Sequence, residues 1–440
     1  MDCNPLSQLS QQLFEFFARP LEQASPTDAL PPSRLRRCGE ILRYNNEDLA
    51  EQGDLSLAAI ARYWQNFASR QECVLRRPAE LLLPGEEERR ELVEHSREWR
   101  FPLAEICVLR KERYALHLQR RPVIAHVLRS VLSQAADYGR PKKSQDSPTM
   151  CLQLGINTTA EGSSVELRDY RLQQLYKIMR RLAEYSPWQL VESKDRLEDT
   201  FCVMVESQKC SKDHVCVVSG PVLEPVKKTA TGLCLDDYLE LRSTHMRLMA
   251  MHRSGIRPAG LGSLDTLMKR LGEAAVIVDL FEVRHATAAI VVRNGLGSSK
   301  GASYILYNSA RLETLLRTFA GLVNAGHYEP LPPLEEIDLS ILEDDMDWQL
   351  IYGYLLTFPE LLESLMDNLQ QGQCGVHLLV RYIDNLAGVF SRYYRHKKVL
   401  VQQRVQLMPV VYARMYLIMA VRQVLNIALS LLGIEPIEFV

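Results

Sequence analysis

The stretch from Val410 to Leu432 is the most apolar in this 440-residue chain, and it is apolar on two sides at once. At helical spacing Val411, Met415, Ile418, Leu425, Leu429 and Leu432 share one stripe with Arg422, while Leu417, Val421, Val424, Ala428 and Leu431 form a second. A surface helix carries one such stripe, so a helix with two must be enclosed by neighbours. The run is long enough to cross a bilayer, but Arg414, Arg422, Gln423 and Asn426 interrupt it, and each is costly in hydrocarbon. The expectation is the inner helix of a bundle and no membrane partner. Gly433 supplies a left-handed terminating residue, and Pro436 stops the helix from resuming.

One core cannot serve 440 residues, so several domains are expected. Residues 1–138 are helix-rich, with three- and four-residue apolar spacing in LSQQLFEFF and IAHVLRSVL, although VLRKERYALHLQRR alternates like a strand with a basic face. PAELLLPGEEERRELVEH has an apolar run, a Pro-Gly turn and a charged helix. Residues 139–149 are a polar linker. In 150–293 the short apolar runs MCLQL, FCVMV and HVCVV alternate with the helical LRDYRLQQLYKIMRRLAEY, the order of an α/β domain. AAVIVDLFEVRHATAAIVV is open between helix and strand. NGLGSSKG forms the next break, and 301–440 is helical. The fold class is thus multidomain, α/β plus all-α.

Ten cysteines without a C-x-x-C pair, and ten histidines without ligand spacing, lead to no expected metal or other cofactor. MDCNPLSQLS lacks the basic and apolar regions of a leader, so the expected compartment is the reducing cytoplasm.

Charge then singles out one region. Asn385 to Ile434 holds seven Arg or Lys and no Asp or Glu, in a chain whose net charge is −2. Within it FSRYYRHKKVL sets Phe390, Tyr393 and Tyr394 beside Arg392, Arg395, Lys397 and Lys398. Rings that stack on bases next to cations that meet phosphates suit a single-stranded RNA loop rather than DNA. A solvated helix face with core tyrosines is the competing account. Phe390 is expected inside, Tyr393 and Tyr394 divide between core and surface, and Arg395, Lys397 and Lys398 are the phosphate candidates. Arg110, Lys111, Arg113, Arg120 and Arg121 offer a second basic surface, for which simple solvation is favoured. Solubilisation is likewise favoured for the acidic run Leu342 to Asp347. Arg414 and Arg422 fit an internal ion pair, with Asp384 as partner, as well as they fit RNA contact.

YILYNSARLETLL, FSRYYRHKKVL and ARMYLIMAVRQVLNIALSLLGI occur in that order and together resemble the DALR anticodon-binding domain that closes arginyl-tRNA synthetases. The resemblance implies that Tyr307 and Asn308, ahead of the Arg311 helix, face an anticodon loop; helix capping is the other role open to Asn308. Glu438, Phe439 and Val440 depart from the family's usual Glu-Arg-Met finish. Upstream, DHVCVVSGPVLEPVKKTATGLCLDDYLE is similar to the family's lysine-containing nucleotide loop, and SSVELRDYRLQQLYKIMRRLAEY to the helix after its H-x-G-H signature. The middle domain is therefore expected to be a degenerate, Rossmann-like synthetase body. Glu166, Leu167, Arg168 and Asp169 occupy the signature positions, so no imidazole is available to the ATP phosphates. Only part of the second loop's charge survives, in Lys227 and Lys228. The resemblance thus implies a non-catalytic relative that binds arginine tRNAs and serves a methyltransferase-like partner making 3-methylcytidine. The alternatives are an active arginyl-tRNA synthetase with an atypical ATP site and a protein-only scaffold.

Overall fold

The computed structural model describes residues 4–20, 41–77, 79–109, 112–144, 146–155, 164–192, 200–208, 214–254, 261–292, 301–401 and 405–436. Arg110, Lys111, the break at Asn294 as far as Lys300, and Glu438 to Val440 lie outside them. The chain forms two compact units, one from Met1–Tyr138, Glu329–Glu360 and Lys397–Val421, the other from Gly139–Tyr328, Leu361–His396 and Arg422–Val440.

In the first unit Asn4 caps the helix Pro5–Phe17 by accepting the Leu6 N–H at 3.1 Å, with proline in the first turn, where no N–H is needed. The Pro-Gly turn and charged helix expected from the sequence are present: Glu86–His95 opens with three glutamates, and Glu88 bonds back to the Gly85 N–H at 2.9 Å. Helices predominate, but residues 42–118 also hold an antiparallel sheet, in the order Leu42–Tyr44, Leu55–Ala58, Arg113–Leu118, Leu103–Leu109. Only the last hairpin shows as alternation in the sequence. Leu55–Ala58 is only four residues long and is buried along its whole length, Ser56 included, so the run is too short to stand out as a two-residue period.

Trp348 and Tyr352 seal this unit. The Trp348 indole donates to the Asp54 carboxylate at 2.6 Å, the Leu118 N–H donates to its other oxygen at 2.7 Å, and the Tyr352 hydroxyl donates to the Asp54 carbonyl at 2.6 Å. Burial pushes the Asp54 carboxyl up to about 6, against the opposing pull of those donors. A carboxyl with a higher pKa folded than unfolded contributes stability that is complete below the unfolded value and is lost as pH rises through the folded one. Asp54→Asn removes that titration and turns an amide donor toward existing donors. Its penalty relative to the parent is expected to be larger at pH 4 than at pH 7, by up to ~3 kcal/mol. Urea unfolding followed by tryptophan fluorescence measures the difference, and equal penalties at both pH values would refute this account.

The second unit contains the expected α/β arrangement. Thr149–Leu154 lies between Gln189–Leu190 and Phe201–Glu206, with Val215–Val218 outside the latter, and all four strands are parallel. Leu167–Glu184 is the crossover helix between the first two strands. The ambiguous stretch resolves as both elements: Leu261–Phe281 is helical, and Ala289–Ile290 pairs in parallel with Val222–Leu223. The Leu261 helix packs beside Leu235–Ser254 through a buried cluster, in which Arg242 meets Asp279 at 2.9 Å and the Tyr238 hydroxyl donates to the same carboxylate at 2.7 Å.

The apolar run forms the helix Met408–Leu432, which is long and apolar enough to cross a membrane, yet 72% of its apolar window is buried inside the protein. That is the expected enclosed helix. Gly433 ends it at φ +79°, where a side chain would be strained, and Ile434 N–H reaches back to the Leu429 carbonyl at 2.9 Å.

Candidate nucleic-acid interface

Two helices of the second unit, Gly301–Asn324 and Val376–His396, carry the ring-bearing residues. Tyr307 and Asn308 lie inside the first helix with Arg311, not ahead of it, because helical geometry is continuous from Gly301. One helical turn therefore separates Tyr307 from Arg311. The Arg311 guanidinium stacks 4.6 Å from the Tyr307 ring centroid and 4.4 Å from that of Tyr394, and donates to the Tyr307 hydroxyl at 2.8 Å. Arg311 thus holds two rings in place rather than presenting a free phosphate donor. Tyr394 keeps 38% of its surface exposed beside Phe390, which is buried.

Other candidates separate by burial. Asn308 is fully enclosed: its amide donates to the Tyr304 carbonyl at 2.9 Å, and its oxygen faces Arg311 at 3.4 Å, so it neither caps the helix nor reaches solvent. Tyr393 is fully enclosed as well, one residue from exposed Tyr394, since adjacent helical positions point about 100° apart. Neither can stack on a base. Arg392 and Arg395 are exposed near the carboxyl end of their helix, and among the described residues no carboxylate pairs with them.

Lys397 and Lys398 belong to the first unit. Lys397 meets Asp344 at 3.0 Å and retains only 21% side-chain exposure. Its charge is therefore already offset. Lys398 is exposed, and its carbonyl accepts from Arg414 at 2.8 Å.

The acidic run from Leu342 is not simply a solubilising loop. Asp344 caps the helix Asp345–Leu350, Asp345 binds Arg120 at 2.6 Å, and Glu343 binds Arg121 at 2.5 Å. Arg113 is drawn inward to the Ser56 carbonyl at 2.6 Å, and burial lowers its pKa to about 10. These three cations of the supposed second surface are thereby occupied. Arg422 does form an internal ion pair, but its partner is Glu313, not Asp384.

Glu166, Leu167, Arg168 and Asp169 stand at the amino end of the helix Leu167–Glu184. Leu167 is fully buried and its N–H donates to the Leu233 carbonyl at 3.3 Å, while Leu235 N–H donates to Val165 at 2.8 Å. Backbone bonds therefore join the segment around Glu166 to the segment around Cys234. Asp169 lies 3.4 Å from Arg168. The second loop closes upon itself through Glu224, which accepts from Thr231 at 2.7 Å, leaving Lys227 and Lys228 exposed. The positive end of the helix has carboxylates beside it, which oppose a polyphosphate.

Arg171, one turn further on, was not singled out by sequence. It is fully buried and donates to the carbonyls of Gly220 (2.9 Å), Leu280 (3.1 Å), Thr287 (2.8 Å), Pro221 (3.3 Å) and Arg284 (3.3 Å). Desolvation brings its pKa down to about 10. The available signal was its position four residues after Leu167 and four before Leu175, on the apolar stripe of the helix. His285 adds to the same junction, donating to the Val218 carbonyl at 2.7 Å and accepting from the Cys374 N–H at 3.2 Å, and burial lowers its pKa.

Comparison with known proteins gives consistent matches. Residues 305–439 match the family model of the DALR anticodon binding domain. The chain is 27% identical over 224 residues to DALR anticodon-binding domain-containing protein 3 of Danio rerio, a match covering 48% of this chain and 40% of that protein. To the Mus musculus protein of the same name it is 30% identical over 148 residues, covering 32% and 27%. Less than half the length of these curated relatives is therefore matched. In structure it is similar to arginyl-tRNA synthetase of Plasmodium falciparum, with a TM-score of 0.61 at 10% identity and full coverage of both chains. The chain thus has an arginyl-tRNA synthetase-like fold, and its residues 305–439 match the DALR anticodon binding domain family.

Proposed function

We propose that this protein is a non-catalytic tRNA-binding adaptor, with the anticodon stem-loop of an arginine tRNA resting on Tyr307, Tyr394, Arg392 and Arg395. The observation that carries this is the ring–guanidinium–ring stack of Tyr307, Arg311 and Tyr394, with exposed cations on the same helix as Tyr394, inside the residues that match an anticodon-binding family. Unstacked loop bases need a flat, preorganised surface, and phosphates need nearby charge. Absence of ligase activity is supported by Glu166 and Asp169 at the helix terminus where the family has imidazoles. Loss of transition-state donors of that kind costs on the order of 10²-fold or more each.

The partner proposed is a 3-methylcytidine tRNA methyltransferase, and the proposed compartment is the cytoplasm, where the free thiols Cys73, Cys107, Cys151, Cys234 and Cys374 would stay reduced. A band-shift titration with arginine tRNA and an unrelated tRNA, run beside arginine-dependent pyrophosphate exchange in the presence of tRNA, tests the reading. Preferential retention of arginine tRNA without exchange is expected. Exchange activity would make the protein a synthetase, and failure to bind any tRNA would leave a protein scaffold. Adding the chain to the methyltransferase should raise 3-methylcytidine in arginine tRNA, and cell fractionation tests the compartment.

A further inference from the structure

No linear metal motif joins Glu105, Cys107 and His117, yet the hairpin Leu103–Leu109 with Arg113–Leu118 brings them together. Glu105 and His117 are paired across the two antiparallel strands. Cys107 follows Glu105 by two residues, on the same face of its strand. The residue opposite Cys107 is Ala115, whose methyl group leaves room for the imidazole and the thiol to lean toward each other. One ligand atom from each of the three, carboxylate oxygen, sulfur and imidazole nitrogen, lies within 4.8 Å of the other two. Glu105 and Cys107 are exposed, and His117 is half-buried.

We propose that Glu105, Cys107 and His117 form an open site for a zinc-class divalent cation. The donor set selects the ion. A thiolate and an imidazole favour zinc or cobalt, whereas magnesium and calcium require oxygen shells. Metal–ligand bonds of about 2.0–2.3 Å put donors of a tetrahedral site roughly 3.3–3.8 Å apart. Since the three atoms already lie within 4.8 Å of one another, they need to close by at most about 1–1.5 Å, which rotation of side chains on an exposed strand permits.

A cleft of about 380 Å³ adjoins the pair Glu105 and His117, lined also by Gln119, Arg120, Arg121 and Glu343. Its two arginines would repel a cation, but each is held by a carboxylate, Arg120 by Asp345 and Arg121 by Glu343. Three protein ligands leave a fourth position for water or an anionic group entering from the cleft.

Cobalt(II) titration of the full chain, after removal of adventitious metal with a chelator, tests the site. One equivalent is expected to give intense visible bands of tetrahedral cobalt and a near-ultraviolet thiolate charge-transfer band, both abolished by one equivalent of zinc. Cys107→Ser should remove the charge-transfer band, and His117→Ala should weaken binding at least about 10-fold. Cys107 is exposed and His117 half-buried, neither in the core, so circular dichroism should be unchanged, and tRNA retention, which concerns other residues, should persist. A charge-transfer band that survives Cys107→Ser assigns the cobalt to a different cysteine and overturns the proposal. So does the absence of any band from the parent chain.

Discussion

Replacing Arg171 with methionine is expected to lower the stability of the second unit by about 3 to 5 kcal/mol, the size of loss seen when a buried polar network loses its central member. The guanidinium serves five carbonyls from three separate stretches, around Gly220, Leu280 and Thr287. Methionine fills much of the same volume and avoids burying a charge, but it takes the guanidinium donors away from the Gly220, Leu280 and Thr287 carbonyls, while Pro221 and Arg284 still accept from the Ala289 and Thr287 N–H groups at 3.0 and 2.9 Å. Gly220 shows how tightly the junction is drawn: a Cβ there would stand 2.6 Å from the Ala286 carbonyl oxygen, so the backbone has no room to move away and rehydrate. Arg171→Lys should be nearly as damaging, because an ammonium on a flexible stem cannot match a planar fork. Thermal unfolding would fall by about 10 °C for a unit of this size. A midpoint unchanged in Arg171→Met would show that the carbonyls find other donors and that the guanidinium is dispensable.

Arg392→Glu combined with Arg395→Glu should weaken arginine tRNA binding by about 10²-fold at near-physiological salt, since two attractive phosphate contacts become repulsive. Each lost contact should also reduce the slope of log affinity against log salt by about one. Tyr394→Ala is the complementary change. It removes an exposed ring worth about 1–3 kcal/mol of base stacking while leaving the salt slope where it was. All three side chains are exposed, so the helical signal should persist. Lys397→Glu is a poorer test despite its place in the basic run, because the new carboxylate would face Asp344 and disturb a helix cap. Unaltered affinity in the double charge reversal, with folding intact, would remove the proposed surface from consideration.

The basic run shows why burial was only half visible in the linear pattern. Phe390 inside, with Tyr393 turned into the core and Tyr394 about 100° away from it toward the surface, follows from helical angle alone, and the structure has that division. The engagement of Lys397 by Asp344, more than fifty residues earlier, depends on a non-local contact that no periodicity encodes. The same is true of Asn308, whose side chain could cap a helix in any short window but is enclosed because the helix starts seven residues sooner, at Gly301.

Local chemistry by itself determined the enclosed carboxyl-terminal helix and its glycine stop, the alternation of strands with a helix in the α/β core, and the acid-free RNA candidate. Those properties belong to stripes, periods and residue types within a turn or a strand, where side-chain direction is set by the backbone. Tertiary structure alone decided that Arg171 is a buried clasp, that the acidic run neutralises Arg120, Arg121 and Lys397, and that Glu105, Cys107 and His117 converge. Each of these requires segments distant along the chain to meet, and the strength of an ion pair, a hydrogen bond or a ligand set depends on separation and burial that only the folded backbone supplies.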